Sequence, residues 1–413
     1  MDSAAAPTPT SSHDDLHTDI TSRSATMVAR RRHYHMHPEL SFEEHETAAS
    51  IAATLRDAGL EVTEGVGGMG VVGLLTGTAP GADTGRTLMV RADIDALPVE
   101  ELNDVEYRSQ TPGKMHACGH DAHVAIALTL AEVLAARRDQ LAGRVKFAFQ
   151  HAEERVGGAD PMIEAGVMRN PDVDGVIGLH VWASGPVGDI SLQTGAFMAS
   201  ADEIHLTVRG RGGHGAMPHQ AIDPVVVAAQ IIVALQTLVS RETDPLHTTV
   251  LTFGSIHGGT AFNIIADEVV LAATLRTYNQ TDRENMQRRI SEVASGVAAA
   301  MRATVEYRIG PGCRVAVNDA AMTDLIRRAA IATVGADHLP DGDNRISASD
   351  DMASFLAAAP GCYFFLGAGN AERGITAPHH SARFDIDEAC LPIGVETMAR
   401  AALEFLAPKQ AGE

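Results

Sequence analysis

His116, Cys118, His120, Asp121 and His123 fall in one short run between a polar loop and an apolar stretch. Thiolate and imidazole are strong ligands for zinc and similar divalent ions, and Cys118 and His120, two residues apart, can face one site from an extended loop. A helix cap carrying surface histidines is the plainer reading of this run alone. Further on, the apolar run Val145 to Phe149 leads into Gln150, His151, Ala152, Glu153 and Glu154, with Gly157 and Gly158 just beyond. On an extended segment adjacent carboxylates point to opposite sides, so one can bind metal while the other takes a proton from water. Two glutamates in isolation are usually surface charge, but this pair closes a strand apolar enough to be buried. His180 closes a second apolar run, Val176 to Leu179, where a buried histidine needs a partner, and His379 and His380 precede Ser381 in a proline-containing loop. Taken singly, His180 reads as a hydrogen-bonded core residue and the loop pair as exposed. Taken together, Cys118, His120, Glu154, His180 and His380 offer enough N, O and S ligands for two ions, with Glu153 left over as general base. Asp95, in a turn after a strand, suits the orientation of a ligand such as a histidine N–H, or is a simple turn residue. An alternative makes Cys118 a nucleophile paired with His120 or His123, as in thiol hydrolases, and leaves the remaining histidines and the glutamate pair without a task.

The elements that must position these residues are legible in periodicity. Ser41 followed by Glu44 reads as a capping box, with Ala48, Ile51, Ala52 and Leu55 at helical spacing before Gly59 ends the helix. Short apolar runs at Val71 to Leu75, Leu88 to Val90, Val145 to Phe149 and Val176 to Leu179, some separated by helical segments such as Val124 to Ala136, predict an α/β sheet covered by helices. The chemistry-bearing motifs then fall at strand ends, where open α/β sheets place their ligands. Near residue 200 the pattern changes. Alternation at Ile204, Leu206 and Val208, a long apolar helix opened by Asp223 and Pro224, strands at Thr249 to Phe253 and Val269 to Leu275, a helix from Asp282 to Met301 and a strand at Val305 to Ile309 give the order of a split βαβ insert. The α/β pattern then resumes, with a helix from Ala320, a strand at Tyr363 to Leu366 and a final helix ending near Leu406. The expected organisation is a disordered tail over 1–12, a discontinuous catalytic domain with a mixed sheet over 13–198 and 312–413, and an inserted α+β, ferredoxin-like domain over 199–311.

Composition narrows the partners. The 413 residues carry 32 Lys and Arg against 53 Asp and Glu, a net charge of −21 that disfavours nucleic acid and anionic membranes. With 45% apolar residues a sizeable core can be buried. Neither an unbroken apolar run of spanning length nor a signal-peptide pattern is expected, so the chain reads as cytoplasmic with no membrane partner. Cys118, Cys313, Cys362 and Cys390 are too scattered for a disulfide framework.

The stretches HPELSFEE, RADIDALPVEE, MHACGHDAH, the Glu-Glu pair followed by Gly-Gly, GLHV, GRGGHGAMPH and HHSARF resemble, in that order, the aminoacylase and carboxypeptidase family of di-metal metallopeptidases over residues 28 to 405. The resemblance is greatest to its branch of hippurate hydrolases, N-acetyl-amino-acid deacetylases and auxin-conjugate hydrolases. It implies that Cys118, His120, Glu154, His180 and His380 are metal ligands, that Glu153 is the general base, and that the catalytic domain is interrupted by a lid that makes a homodimer. His214, Asn263 and Arg276 then bind the substrate carboxylate or the developing oxyanion, with His214 reaching a neighbouring subunit's site. Departures from the family pattern are His151 and Ala266 where proline is usual, Gly215 where alanine is common, and Ser349, Asp350, Asp351 and Met352 where the third-to-last is usually Glu and the last aromatic. None removes a ligand or the base, so they bear on substrate identity. The expected activity is cleavage of the amide bond of a small-molecule N-acyl amino acid by metal-activated water, with two zinc, manganese or cobalt ions and Glu153 as base. A dipeptidase, an N-carbamoyl-amino-acid hydrolase and a non-catalytic metal-dependent binding protein are the alternatives. The last has no need of Glu153.

Overall fold

The structure, a computed structural model, describes residues 11–82 and 85–408, with side chains from Asp15 onward. All but the last two residues of the expected tail lie outside the described residues, and those two, Ser11 and Ser12, begin a helix, Ser11–Ser22. The chain divides into two compact units. The first comprises 1–195, 318–344 and 355–413, and the second 196–317 and 345–354.

The first unit is built on a seven-stranded mixed sheet in the order Glu61–Val66, Gly70–Thr76, Arg144–Gln150, Thr87–Asp93, Gly175–Pro186, Gly361–Gly369, Ile190–Ser191. The four central strands run parallel, while the hairpin at one edge and the short strand at the other run antiparallel. Central strands are apolar on both faces because helices cover both. Gly361–Gly369 is buried at every residue, and so is Thr87–Asp93. Leaving Thr87–Asp93, the chain goes first to the strand on one side of it and then to the strand on the other. That reversal opens a crevice beyond the strands' carboxyl ends. The helix His120–Ala135 is almost entirely buried against Thr87–Asp93 and the helices Ser24–Met36 and Cys390–Phe405. Its apolar residues Val124, Ile126, Leu128, Leu130, Val133 and Leu134 join one core with Phe147, Phe149, Phe364 and Met398.

The expected capping box is not formed. The helix begins at His45, and it is Glu39 that accepts the free N–H groups of its first turn, from Glu46 at 3.2 Å and Thr47 at 2.8 Å. Ser41 and Glu44 turn elsewhere, toward Asp95 and Ala152. A carboxylate from outside the helix satisfies the same orphan donors, so the local signature was outcompeted.

The second unit is a four-stranded antiparallel sheet, ordered Thr249–Gly258, Glu268–Thr277, Ala201–Arg209, Thr304–Cys313. With helices Pro224–Thr237 and Gln280–Ala300 it runs strand, helix, strand, strand, helix, strand, apart from small ribbons. Asp223 and Asn279 cap the two helices, and Ile204, Leu206, Val208, Val227, Ile231, Leu271, Leu275 and Ile290 form a separate core. Among the described residues Pro224–Glu242 is the one helix long and apolar enough to cross a membrane. Gln230, Gln236, Ser240 and Arg241 interrupt it, and one side packs into this core.

Candidate functional site

The side chains at the head of the first unit's sheet arrive from a helix start, a turn after a strand, a strand and a loop, and His180, expected to close its strand, lies inside Gly175–Pro186, which runs on past it. Cys118 and His120 flank Gly119, which stands at φ +92 at the start of the buried helix. A Cβ there would lie 2.3 Å from Cγ2 of Val181, so only glycine lets the Cys118 loop pass this close to the neighbouring strand. Glu153 and Glu154 follow Arg144–Gln150 on a single 3-10 turn, Glu153–Arg155, entered through Ala152 at φ +51. The extended conformation expected for this pair is thus replaced by a tight turn. The main chain bends because two carboxylates draw its N–H groups inward. Glu44 Oε1 accepts from Ala152 at 2.8 Å, and Asp95 accepts from Glu153 through Oδ1 and from Glu154 through Oδ2, each at 3.2 Å. Ser41 donates to Asp95 Oδ2 at 2.6 Å. Gly158 closes the turn, its Cα so near the carbonyl of His151 that a Cβ would fall 1.7 Å from that oxygen.

The rings are fixed by the hydrogen bonds of one nitrogen, which leaves the other bare. His120 Nδ1 is 2.9 Å from the main-chain carbonyl of Asp95 and 3.4 Å from its carboxylate, so Asp95 meets this ring mainly through its backbone. His180 Nδ1 is 2.7 Å from the carbonyl of Val181. Carbonyls only accept, so both rings place their protons on Nδ1 and turn Nε2 inward. Nε2 of His180 is 3.5 Å from Sγ of Cys118, and Nε2 of His120 is 3.9 Å from Glu154 Oε1 and 4.0 Å from Glu153 Oε2. His380, at φ +64, brings Nε2 to 3.4 Å from Glu154 Oε1. Several groups of three close ligand atoms result, among them His120 with Glu153 and Glu154, and two that share the Cys118 sulfur, Cys118 with His120 and His180, and Cys118 with Glu154 and His380. A further group, Asp93 with His120 and His123, is already spent: His123 accepts the N–H of Val181 through Nε2 at 2.9 Å and meets Asp93 through Nδ1, and Arg91 donates to Asp93 at 2.8 Å.

Electrostatics test whether a cation fits. Burial and the carboxylates Glu154, Glu153 and Asp93 push the Cys118 thiol well above its ordinary value. Burial pulls His120 down, but Asp93 and Asp95 outweigh it and raise the ring to about 10. His180 is driven well below its usual range by burial and by the rings of His123 and His379. The Glu154 carboxylate, 3.4 Å from Nε2, raises His380. Meanwhile His120 Nε2 and Glu154 Oε1 are buried and make no hydrogen bond. Bare ligand lone pairs beside excess negative charge match a divalent cation, which would replace the proton on His120 and hold the thiolate ionised.

The other sequence candidates lie in the second unit. His214 is exposed on a two-residue strand paired with Ile264; its Nδ1 accepts the N–H of Ala216 at 3.0 Å, and the carbonyl of neighbouring Asn263 accepts the N–H of Gly215 at 2.8 Å. Arg276, on Glu268–Thr277, is half-buried and donates to Ser349 at 3.1 Å. Sequence reasoning singled out none of Ser41, Glu44 and Asp93 as site residues, and gave His123 a role only as a possible partner of a Cys118 nucleophile. For Asp93 the signal was present, since it sits two positions before Asp95 at a strand end; for Ser41 and Glu44 the capping pattern concealed it.

Residues 89–404 match the family model described as Peptidase family M20/M25/M40. The N-acyl-L-amino acid amidohydrolase of Geobacillus stearothermophilus is 41% identical over 307 residues, covering 74% of this chain and 79% of that protein. Thermostable carboxypeptidase 2 of Saccharolobus solfataricus is 38% identical over 95% of this chain and 98% of its own length. The crystal structure of the Bacillus subtilis YXEP protein, described as a dinuclear metal binding peptidase from the M20 family, superposes with a TM-score of 0.79 at 30% identity, covering 95% of this chain and 99% of that one. The chain belongs to peptidase family M20/M25/M40 and is a hydrolase of carbon–nitrogen bonds.

Proposed function

We propose that the chain hydrolyses the amide bond of N-acyl amino acids at a site where Cys118, His120, Glu154, His180 and His380 hold two divalent ions. The observation that carries this reading is the pair of ligand groups sharing the Cys118 sulfur, with Glu153 beside them and outside both. Bound there, the ions supply Lewis acidity, polarising the scissile carbonyl and making water acidic near neutral pH. Glu153 takes the proton of the attacking water at its carboxylate and delivers it to the leaving amine nitrogen. Asp95 holds the main-chain N–H of both glutamates, so base and ligand keep a constant orientation. A thiolate favours zinc, while the imidazole and carboxylate ligands also suit manganese or cobalt.

The relatives' names point to one substrate unit. An N-acyl amino acid and the end of a peptide cut by a carboxypeptidase share an acyl group joined through nitrogen to an amino acid with a free carboxylate. Arg276 and Asn263 are suited to that carboxylate, and His214 to the developing oxyanion. Residues 199–311 act as a lid and pair two subunits, the catalytic part being 13–198 with 312–413. Val225, Val226 and Val233 on the helix Pro224–Thr237, and Val250 and Ile256 on the edge strand Thr249–Gly258, are exposed apolar residues that support a homodimer through this unit. Four free, buried cysteines suit a reducing cytoplasm.

The test is metal analysis of the purified protein alongside hydrolysis of a panel of N-acyl amino acids, N-carbamoyl amino acids and dipeptides. About two ions per chain and fastest turnover of N-acyl amino acids are expected. Preference for dipeptides or carbamoyl substrates selects those readings instead, and turnover with no bound metal rejects the mechanism.

A further inference from the structure

His379 lies outside the ligand set, yet its ring is constrained on several sides. One face stacks on Trp182, with centroids 4.7 Å apart and planes inclined by 27°, and Phe384 approaches at 4.9 Å. Nε2 accepts the main-chain N–H of Ala183 at 3.1 Å. A ring nitrogen that accepts an N–H presents a lone pair, so the proton of the neutral imidazole is on Nδ1. Nδ1 faces Sγ of Cys118 at 3.8 Å. Both nitrogens are therefore committed, which leaves His380 rather than His379 free to turn a bare nitrogen toward Glu154.

Resting on the two-metal reading above, we infer that His379 is a positioning residue for the shared thiolate, donating an N–H···S hydrogen bond from Nδ1 to Sγ of Cys118. A thiolate ligand holds lone pairs beyond those it gives to metal, and in a buried site each bare pair is costly. A donor aimed at the sulfur stabilises the anion and withdraws electron density from it, as charge-assisted hydrogen bonds do. The Ala183 N–H acts through the ring: by occupying Nε2 it forces the tautomer that can donate. The stack on Trp182 sets the ring plane. Such partners of a ligand are worth roughly 10- to 100-fold in metal affinity.

The experiment uses full-length protein loaded with cobalt(II), with metal content measured, and reads the sulfur-to-cobalt charge-transfer band in the near ultraviolet. His379→Phe keeps an aromatic ring against Trp182 but has no N–H, and His379→Leu is a second apolar replacement should the first fold poorly. Both are expected to move the band to longer wavelength and to weaken cobalt binding roughly tenfold in chelator competition. His379→Asn places an amide nitrogen where Nδ1 sits and should restore the wild-type band, whereas His379→Gln, whose nitrogen sits where Nε2 does, should not. A purely structural ring predicts the same band in wild type and His379→Phe. A band present but unmoved in fully loaded Phe and Leu variants overturns the inference and assigns the Nδ1 proton to another acceptor, such as the Cys118 carbonyl. Wild-type protein that binds cobalt without any sulfur band instead overturns the assignment of Cys118 as a ligand, a separate failure.

Discussion

Glu44 Oε1 accepts the main-chain N–H of Ala152 at 2.8 Å, while Oε2 of the same carboxyl is buried with no hydrogen-bond partner. A residue from early in the chain, just before the helix His45–Asp57, thereby holds the left-handed residue that starts the Glu153–Glu154 turn. Its charge is costly. Burial, reinforced by Asp95 and Glu39 and only partly offset by the Ala152 N–H, raises Glu44 from 4.5 to about 7. The folded chain binds this proton more tightly than the unfolded chain, so the stability it contributes is full below about pH 4.5 and is lost as pH rises through 7. Glu44→Gln keeps a carbonyl for Ala152 and removes the titration. In metal-free protein the variant should gain about 2 to 3 kcal/mol relative to wild type between pH 5 and pH 8, from 1.36 kcal/mol per pKa unit. Denaturant unfolding at a series of pH values measures this, and a pH-independent difference would show that Glu44 does not titrate in this range.

Metal content separates ligands from neighbours. Cys118→Ser and His180→Ala each remove an atom from the shared-sulfur groups and should lower bound metal and activity together. His123→Gln should not act the same way. Both its ring nitrogens are occupied by Asp93 and Val181, so it should shift stability more than stoichiometry. Elemental analysis of the three variants decides, and a His123 variant as metal-poor as the Cys118 variant would add His123 to the ligands.

The adjacent glutamates should part company under the same substitution. Glu153→Gln keeps size and removes a base, so metal stays bound while kcat falls by roughly 10² to 10⁴. Glu154→Gln takes away an oxygen 3.4 Å from His380 Nε2, and the loss should appear first in metal content. Exchange of these two behaviours between the variants would reverse the roles.

That Cys118, His120, Glu154, His180 and His380 gather at one place was legible in the sequence because cysteine, histidine and glutamate next to buried apolar runs have few other occupations. The four central strands were legible for a related reason: a strand covered on both faces reads as a near-continuous apolar run, as in Tyr363 to Leu366. The edge strand Glu61–Val66, largely exposed, carries no such run and went unread. So did the helices Ser11–Ser22 and Ser24–Met36. The second is rich in Arg and His, yet buries Arg31 against Asp121 at 2.8 Å and His35 against the same carboxylate. Periodicity cannot see an element held by ion pairs. Least legible were the groups that support the site. Ser41 and Glu44 followed a correct local rule, but their partners, Asp95 and Ala152, lie far along the chain. Only the folded chain brings these long-range partners together.

The sharpest test of the proposed lid concerns His214. It is exposed, and its Nδ1 accepts the N–H of Ala216, so Nε2 is the ring nitrogen not used in that contact. If that nitrogen serves the site of a partner subunit, two inactive proteins should complement each other. Glu153→Gln and His214→Ala subunits, mixed and allowed to exchange, form dimers in which one site has its own Glu153 and receives His214 from the other chain. The second site of the same dimer lacks both. Each mixed dimer should therefore recover close to half of wild-type activity, as isologous pairing of two equivalent sites requires. A histidine acting within its own chain leaves every site with one defect, and nothing is recovered. Subunit exchange is checked by native mass spectrometry of chains carrying different tags. Mixed dimers without activity would confine His214 to its own subunit, while the metal ligands and Glu153 would keep the roles assigned to them.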